Sequence, residues 1–177
     1  MSRMKNNKKL IMILAMLLLF IISLIYPERL AVNHVKPDLL LVFIIIAAVI
    51  FEDKTVIFLT IFTSLIRDLT EFGFPGPYFL LYAILAVLIY FLASFFYRPG
   101  VVVCLFFVAV FTFLHDILWI ILFNAYYLLR FSIGTDFSFG QNISRGTIYH
   151  IPQNLAAGIL IFYMMIYIRR RVLNERS

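Results

Sequence analysis

Hydrophobic and polar positions alternate along this chain in long blocks rather than at short period. Apolar stretches cover residues 10–26, 37–51, 55–69, 78–97, 101–124 and 147–168, with short polar or Gly/Pro-containing breaks between them. A helix that crosses a bilayer needs ~20 mostly apolar residues, with a range of about 17–25. The pattern therefore predicts six membrane-spanning helices and leaves no separate soluble domain. The second and third are short. Glu52, Asp53 and Lys54 separate them, and three charges are costly inside hydrocarbon. Two short helices with a tight turn, or a helical hairpin that does not fully span, both fit. Arg98, Pro99 and Gly100 end the fourth helix and start the fifth, since proline and glycine break helices. The Gly/Pro-dense stretch from Glu71 to Pro77 reads as an ordered turn.

Composition removes the other fold classes. Hydrophobic residues make up 64% of the 177 residues, against roughly 45–50% in soluble domains. Charged residues are only 14%. A soluble protein of this size leaves about a third of its unfolded surface exposed and could not hide that much apolar area. Disorder is excluded by the same excess. The expected fold class is an all-α polytopic membrane protein, a six-helix transmembrane bundle forming a single integral membrane domain over residues 1–177.

Charge sets the expected orientation. The net charge is +6, but the basic residues flank apolar spans, so they follow the positive-inside rule and give no reason to expect a nucleic-acid partner. With a cytoplasmic N-terminus, the inside segments hold ten Lys/Arg (Arg3, Lys5, Lys8, Lys9, Lys54, Arg98, Arg169, Arg170, Arg171, Arg176) and the outside segments four (Arg29, Lys36, Arg130, Arg145). Both termini are expected in the cytoplasm, with Arg169–Arg171 setting topology or touching anionic headgroups of membrane lipids. The N-terminal segment has the basic start of a secretory signal but no small-x-small cleavage pattern near residue 26, and reads as an uncleaved first helix. Tyrosines near the predicted ends (Tyr26, Tyr78, Tyr97, Tyr126, Tyr127, Tyr149, Tyr167) suit aromatic belts. The longest predicted loop, residues 125–146, is apolar and aromatic. It is expected to lie in the outer interface or to bind a partner.

Ionisable residues inside a membrane need a partner or a wet cavity. They are Asp38, Arg67, Asp68, His115 and Asp116, with His150, Gln153 and Asn154 on the last helix. At 1.5 Å per residue, all fall in the outer half of their predicted helices. Two readings follow. In one they line an outward-facing polar pocket between the second, third, fifth and sixth helices, with Arg67 neutralising Asp68 or Asp116. In the other they are structural pairs that fix helix register. Neighbours such as Arg67 and Asp68 point about 100° apart on a helix, so one of each pair can face inward while the other snorkels. Ala156, Ala157 and Gly158 form a small-residue patch that permits close helix approach.

Catalytic chemistry has little to stand on. Asp68 and Asp116 could form a carboxylate pair, but no Gly-x-Gly-Asp element surrounds either. Ser64, Ser94 and Ser144 lack the setting of a nucleophile. No phosphate-binding glycine loop occurs. One cysteine, Cys104, rules out a disulfide framework, and no Cys/His zinc spacing is present. No enzyme activity, cofactor or metal is expected.

Residues 26–97 carry a resemblance. Pro37-Asp38-Leu39-Leu40-Leu41-Val42-Phe43 is similar to the second-helix opening of the rod shape-determining MreD family. Leu65-Ile66-Arg67-Asp68-Leu69 then resembles that family's helix ending in aspartate. Phe72-Gly73-Phe74-Pro75-Gly76-Pro77 and Tyr78-Phe79-Leu80-Leu81-Tyr82 resemble its turn and following Leu/Tyr-rich helix. Arg67 stands where the family usually has an apolar or small residue. The resemblance implies a non-enzymatic scaffold of the bacterial cell-elongation machinery in the cytoplasmic membrane. It implies MreC, a single-span protein, as partner. It also implies a link to the MreB filament and to the peptidoglycan synthases, RodA and a class B penicillin-binding protein. Asp38, Asp68 and Gly76 would then be structural or partner-positioning residues. The family's fold is also similar to the substrate-binding subunits of energy-coupling-factor transporters. That leaves a small-solute-binding transport subunit as the alternative, with Asp68, Asp116 and Asn154 as ligand candidates.

Overall fold

Pro37 and Asp38 start a helix with no polar side at all. In the computed structural model it is α1, Leu39–Phe51, followed by α2 (Thr55–Phe72), α3 (Pro77–Ala93), α4 (Val101–Phe131) and α5 (Phe139–Asn174). The structure describes residues 10, 13–15, 17–19, 21–22, 25, 35–51, 55–72, 76–95, 100–131 and 139–174. Side chains within the five helices are described for 39–50, 55–70, 77–93, 101–125 and 147–170. Those residues of the predicted first span that are described are helical. The basic N-terminus, the charged turn at 52–54, the break at 98–99 and residues 132–138 lie outside the described residues.

A helix that is hydrophobic all round belongs in the middle of a bundle. α1 meets that condition, and it packs against each of the other four helices. Leu41, Val42, Ile45, Ile46 and Ala47 are fully buried. The remaining pairings are α2 with α3, α3 with α4, and α4 with α5. Around α1 the core is completed by Leu81, Leu85 and Ile89 from α3, Val108 and Phe111 from α4, and Met165 from α5.

The outward faces are apolar too. Leu80, Ile84, Val87 and Phe91 form an exposed row on α3, and Val102, Phe106, Val110 and Phe113 one on α4. Their spacing of three or four residues marks one face of each helix. Val101–Ala125 and Thr147–Arg170 are long and apolar enough to cross a membrane. All described secondary structure is helical apart from a single bridge residue, Val35. These features are consistent with a helical membrane protein.

Three boundaries differ from the sequence reading. α2 runs one turn further than residue 69, and α3 stops at Ala93 rather than 97. The largest change concerns the predicted outer loop, residues 125–146. Most of it is helix, because α4 continues to Phe131 and α5 begins at Phe139. Continuing the helix keeps the backbone groups of this stretch paired within the chain. Gly140 and Gly146 cost only about 1 kcal/mol each in helix propensity. α4 and α5 thus overshoot the three shorter helices. At 13 residues, α1 is only about 20 Å long.

Hydroxyls in α2 are absorbed by the helix itself. Thr60 donates to the Val56 carbonyl, Thr63 to Leu59 and Thr60, and Ser64 to Ile61, a back-bonding habit that lets such residues be buried. Of the small-residue patch on α5, Gly158 is buried, while Ala156 is exposed. A Cβ at Gly158 would lie 3.3 Å from Leu105 Cδ2, 3.6 Å from Val108 Cγ2 and 3.7 Å from Val42 Cγ1. Gly158 therefore seats α5 against α4 and α1. Gly158→Ala should be nearly neutral, because the Leu105 tip can rotate and alanine gains about 1 kcal/mol of helix propensity. Gly158→Leu should overpack the seam and cost about 1–3 kcal/mol. Thermal unfolding of the two variants in detergent checks the contrast. Equal stabilities would mean that the seam is not tight.

Candidate functional site: a buried polar network at the start of the first core helix

A helix that begins inside a bundle must find acceptors for its first backbone N–H groups. α1 and α3 both begin this way, and each uses an aspartate. Asp38 is the N-cap of α1: its Oδ1 accepts from the Leu41 N–H at 3.0 Å, the N3 position that a capping side chain reaches. The Leu39 N–H donates to the Pro37 carbonyl at 3.1 Å. The Asp38 N–H itself donates to Asn154 Oδ1 on α5 at 2.7 Å. Asn154 in turn donates through Nδ2 to Thr112 Oγ1 on α4 at 3.0 Å.

At α3 the N-cap is Gly76, which has no side chain to offer. Asp68, from the end of α2, takes its place. Its Oδ2 accepts from Gly76 N–H at 2.9 Å and Phe79 N–H at 2.7 Å, and its Oδ1 from Tyr78 N–H at 3.1 Å. Pro77 at N1 has no N–H to satisfy. The first turn of α3 is thereby accounted for, by one fully buried carboxylate.

The second oxygen of Asp38 faces a group of polar side chains. Tyr82 donates its hydroxyl to Asp38 Oδ2. Arg67 Nη1 lies 3.8 Å from that oxygen, and His115 Nε2 lies 3.5 Å from it. Arg67 also donates to the Tyr78 hydroxyl at 3.2 Å, and its guanidinium carbon sits 4.0 Å above the Tyr78 ring centroid. Tyr78 stacks on Trp119 with centroids 4.4 Å apart, so the cation-bearing ring is itself clamped. On the α4–α5 side, Asp116 Oδ1 meets His115 Nδ1 at 3.1 Å and His150 Nδ1 at 2.7 Å.

The site residues expected from sequence are thus partly joined. Asp38, Arg67, His115, Asp116 and Asn154 fall into one network. Asp68 and Gly76 form the adjoining cap. The expectation that Arg67 neutralises Asp68 or Asp116 is corrected: among the described residues, the carboxylate beside it is Asp38. The reason is directional. Asp68 and Arg67 leave α2 about 100° apart, so Asp68 meets the start of α3 while Arg67 reaches across to the tyrosines and Asp38. Sequence reasoning passed over Tyr78 and Tyr82 as site residues and did not place Thr112. A usable signal was the i, i+4 spacing of Tyr78/Tyr82, Thr112/Asp116 and His150/Asn154, which puts each pair on one helix face.

Because α4 and α5 overshoot, the network lies at the ends of α1 and α2 and the beginning of α3, but about halfway along α4. It occupies the step where the short helices stop and the long ones continue. At the other end of α1, a small recess is lined by Ala48, Tyr90, Ala93 and Ser94. The chain matches no known protein-family model, no curated protein and no solved structure.

Proposed function

We propose that this chain is a non-enzymatic membrane scaffold of the bacterial cell-elongation machinery. In this reading it is a six-span protein of the cytoplasmic membrane with both termini inside. It binds an MreC-like single-span protein and a RodA-type synthase with its class B penicillin-binding partner, and through them connects to the MreB filament. The observation that supports it is the use made of Asp38 and Asp68. These are the two aspartates on which the resemblance rests, and each closes the start of a core helix through backbone N–H groups. Carboxylates committed in this way hold a shape. The exposed apolar rows of α3 and α4 supply faces against which partner helices can pack.

The test is capture of the tagged full chain from its native membrane in mild detergent. Recovery of a single-span protein with an extracytoplasmic domain, together with a wall synthase, is the expected result. Cells depleted of the chain should lose rod shape and show scattered wall insertion. Recovery of an ATPase pair or a bound metabolite would overturn the scaffold reading in favour of a solute-binding transport subunit, which the convergence of polar groups from five helices would then serve.

A further inference from the structure

Two histidines and one carboxylate converge where α4 meets α5. Asp116 Oδ1 lies 2.7 Å from His150 Nδ1 and 3.1 Å from His115 Nδ1. One ligand atom from each of the three residues lies within 4.8 Å of the others. All three side chains are largely buried, with 8% of His115, 13% of Asp116 and 12% of His150 exposed.

With a neutral His115, the proton positions within this group conflict. A neutral imidazole carries one N–H and one lone pair. If His115 holds its proton on Nδ1, its Nε2 lone pair faces the Asp38 carboxylate 3.5 Å away. If it holds the proton on Nε2, its Nδ1 lone pair faces Asp116 Oδ1. Either way, two acceptors confront each other. Other groups around the cluster are also unsatisfied. Asp116 Oδ2 and His115 Nε2 are buried without a hydrogen-bond partner, and so are both amide atoms of Gln153. Gln153 stands three residues from His150, on the adjoining helix face. Among the described residues, the carboxylates of Asp38 and Asp116 both face His115.

We propose that His115, Asp116 and His150 form a binding site for a divalent first-row transition cation. Imidazole nitrogens with one carboxylate are a donor set that such ions accept. The cation takes the Nδ1 lone pairs of both histidines and the Asp116 carboxylate. His115 is then free to direct its Nε2–H at Asp38, the carboxylate–histidine–metal arrangement by which proteins fix a ligand's tautomer. Bonds of about 2.0–2.1 Å require the 2.7 and 3.1 Å separations to open slightly and any donors as far apart as 4.8 Å to close. With His115 and Asp116 on α4 and His150 on α5, the ion clips the two longest helices together at the step in the bundle. This site is independent of the scaffold reading and uses none of its partners.

The experiment uses the full chain purified in mild detergent, stripped with a chelator and titrated with Co2+. About one equivalent should bind and give visible ligand-field absorption, which Zn2+ displaces. Unfolding should shift to higher temperature with either ion, because a ligand that binds only the folded state stabilises it. Loss of an outer-shell partner alone costs about 10–100-fold in affinity, so His150→Gln and Asp116→Asn should each weaken Co2+ binding by at least ~100-fold. Cys104→Ser, at a buried thiol on α4 outside the ligand set, should leave it unchanged. Wild-type chain that binds no Co2+ would overturn the proposal and leave an imidazolium–carboxylate group in its place. Binding that survives in both ligand variants, each shown to be monodisperse, would overturn it equally. Partner capture by the untreated chain is a separate readout and separates failure of this site from failure of the scaffold reading.

Discussion

Asp68→Ala should destabilise the bundle by about 3–5 kcal/mol, among the largest effects of any single change outside the apolar core. The carboxylate is fully buried and accepts from three backbone N–H groups at the start of α3. Hydrogen bonds to a charged group contribute about 1.5–3 kcal/mol each, and a buried donor left unsatisfied costs about 1–3 kcal/mol. These costs do not add fully, because part of the first turn can fray toward Gly76. Asp68→Asn should fall between wild type and alanine: the amide retains one acceptor oxygen but turns a donor toward other donors. Trp119 is the one tryptophan in the chain, and Tyr78, whose N–H bonds Asp68, stacks on it. Its fluorescence therefore reports on the very turn that is being loosened. Thermal and denaturant unfolding in detergent, followed by that signal, should show the loss. Thr70→Ala serves as comparison, since Thr70 is exposed and its hydroxyl bonds only the Arg67 carbonyl of its own helix. It should stay within about 0.5 kcal/mol of wild type. A shift of less than ~1 kcal/mol for Asp68→Ala would mean that the start of α3 is held by packing rather than by this carboxylate.

The sequence was most readable where the pattern was long and one-sided. Unbroken apolar stretches located α1 to α5, because a backbone that cannot hydrogen-bond to its surroundings has to be helical. It was less readable where composition and local structure diverge. Residues 125–131 and 139–146 look like a loop because Gly140, Gly146 and polar residues interrupt them, yet they extend α4 and α5. Helical propensity penalties of about 1 kcal/mol per glycine are small beside backbone satisfaction across a turn. Membership of the candidate site followed a similar division. The sequence groups Asp38, Arg67, Asp68, His115, Asp116 and Asn154, since polar residues inside apolar helices must meet one another. The partners within the group could not be read, because α1 has no polar face to orient it and its central position emerges only from tertiary packing. Once α1 is central, Asp38 at its tip is within reach of α2, α3, α4 and α5 together, and Arg67 finds it there.

That position makes Asp38 the second residue whose removal should be severe. Asp38→Ala deletes the cap on Leu41, the acceptor for the Tyr82 hydroxyl, and the carboxylate facing Arg67 and His115. Removing one partner of a fully buried ion pair costs about 3–5 kcal/mol, chiefly because the other charge is left uncompensated; with the Arg67 side chain 26% exposed, Asp38→Ala should fall toward the lower end of that range. Asp38→Asn separates the contributions. Its amide oxygen can still cap α1, so the difference between the asparagine and alanine variants isolates a capping contribution of about 1 kcal/mol. The remainder belongs to the charge. Arg67→Met removes the facing cation while the methionine stem can keep packing near Tyr78, and should be milder than Asp38→Ala, since Tyr82 and His115 still face the carboxylate. In the double variant the stranded charge disappears from both sides. Its loss of stability should therefore fall short of the sum of the single losses by about 0.5–3 kcal/mol, the range for residues in direct contact. Strict additivity would show that Arg67 and Asp38 do not interact across their 3.8 Å separation, and that contacts such as those to the Tyr78 and Tyr82 hydroxyls hold the guanidinium. The cap and the ion pair act on the same atom group from opposite sides: Oδ1 fixes where α1 begins, and Oδ2 fixes what surrounds that beginning. Asp38 thus couples the register of the central helix to α2, α3 and α4 through its carboxylate and to α5 through its backbone N–H. For this reason the asparagine variant should retain the helix start yet lose partner recovery in detergent capture, if partner faces depend on how α2 to α5 are arranged around α1.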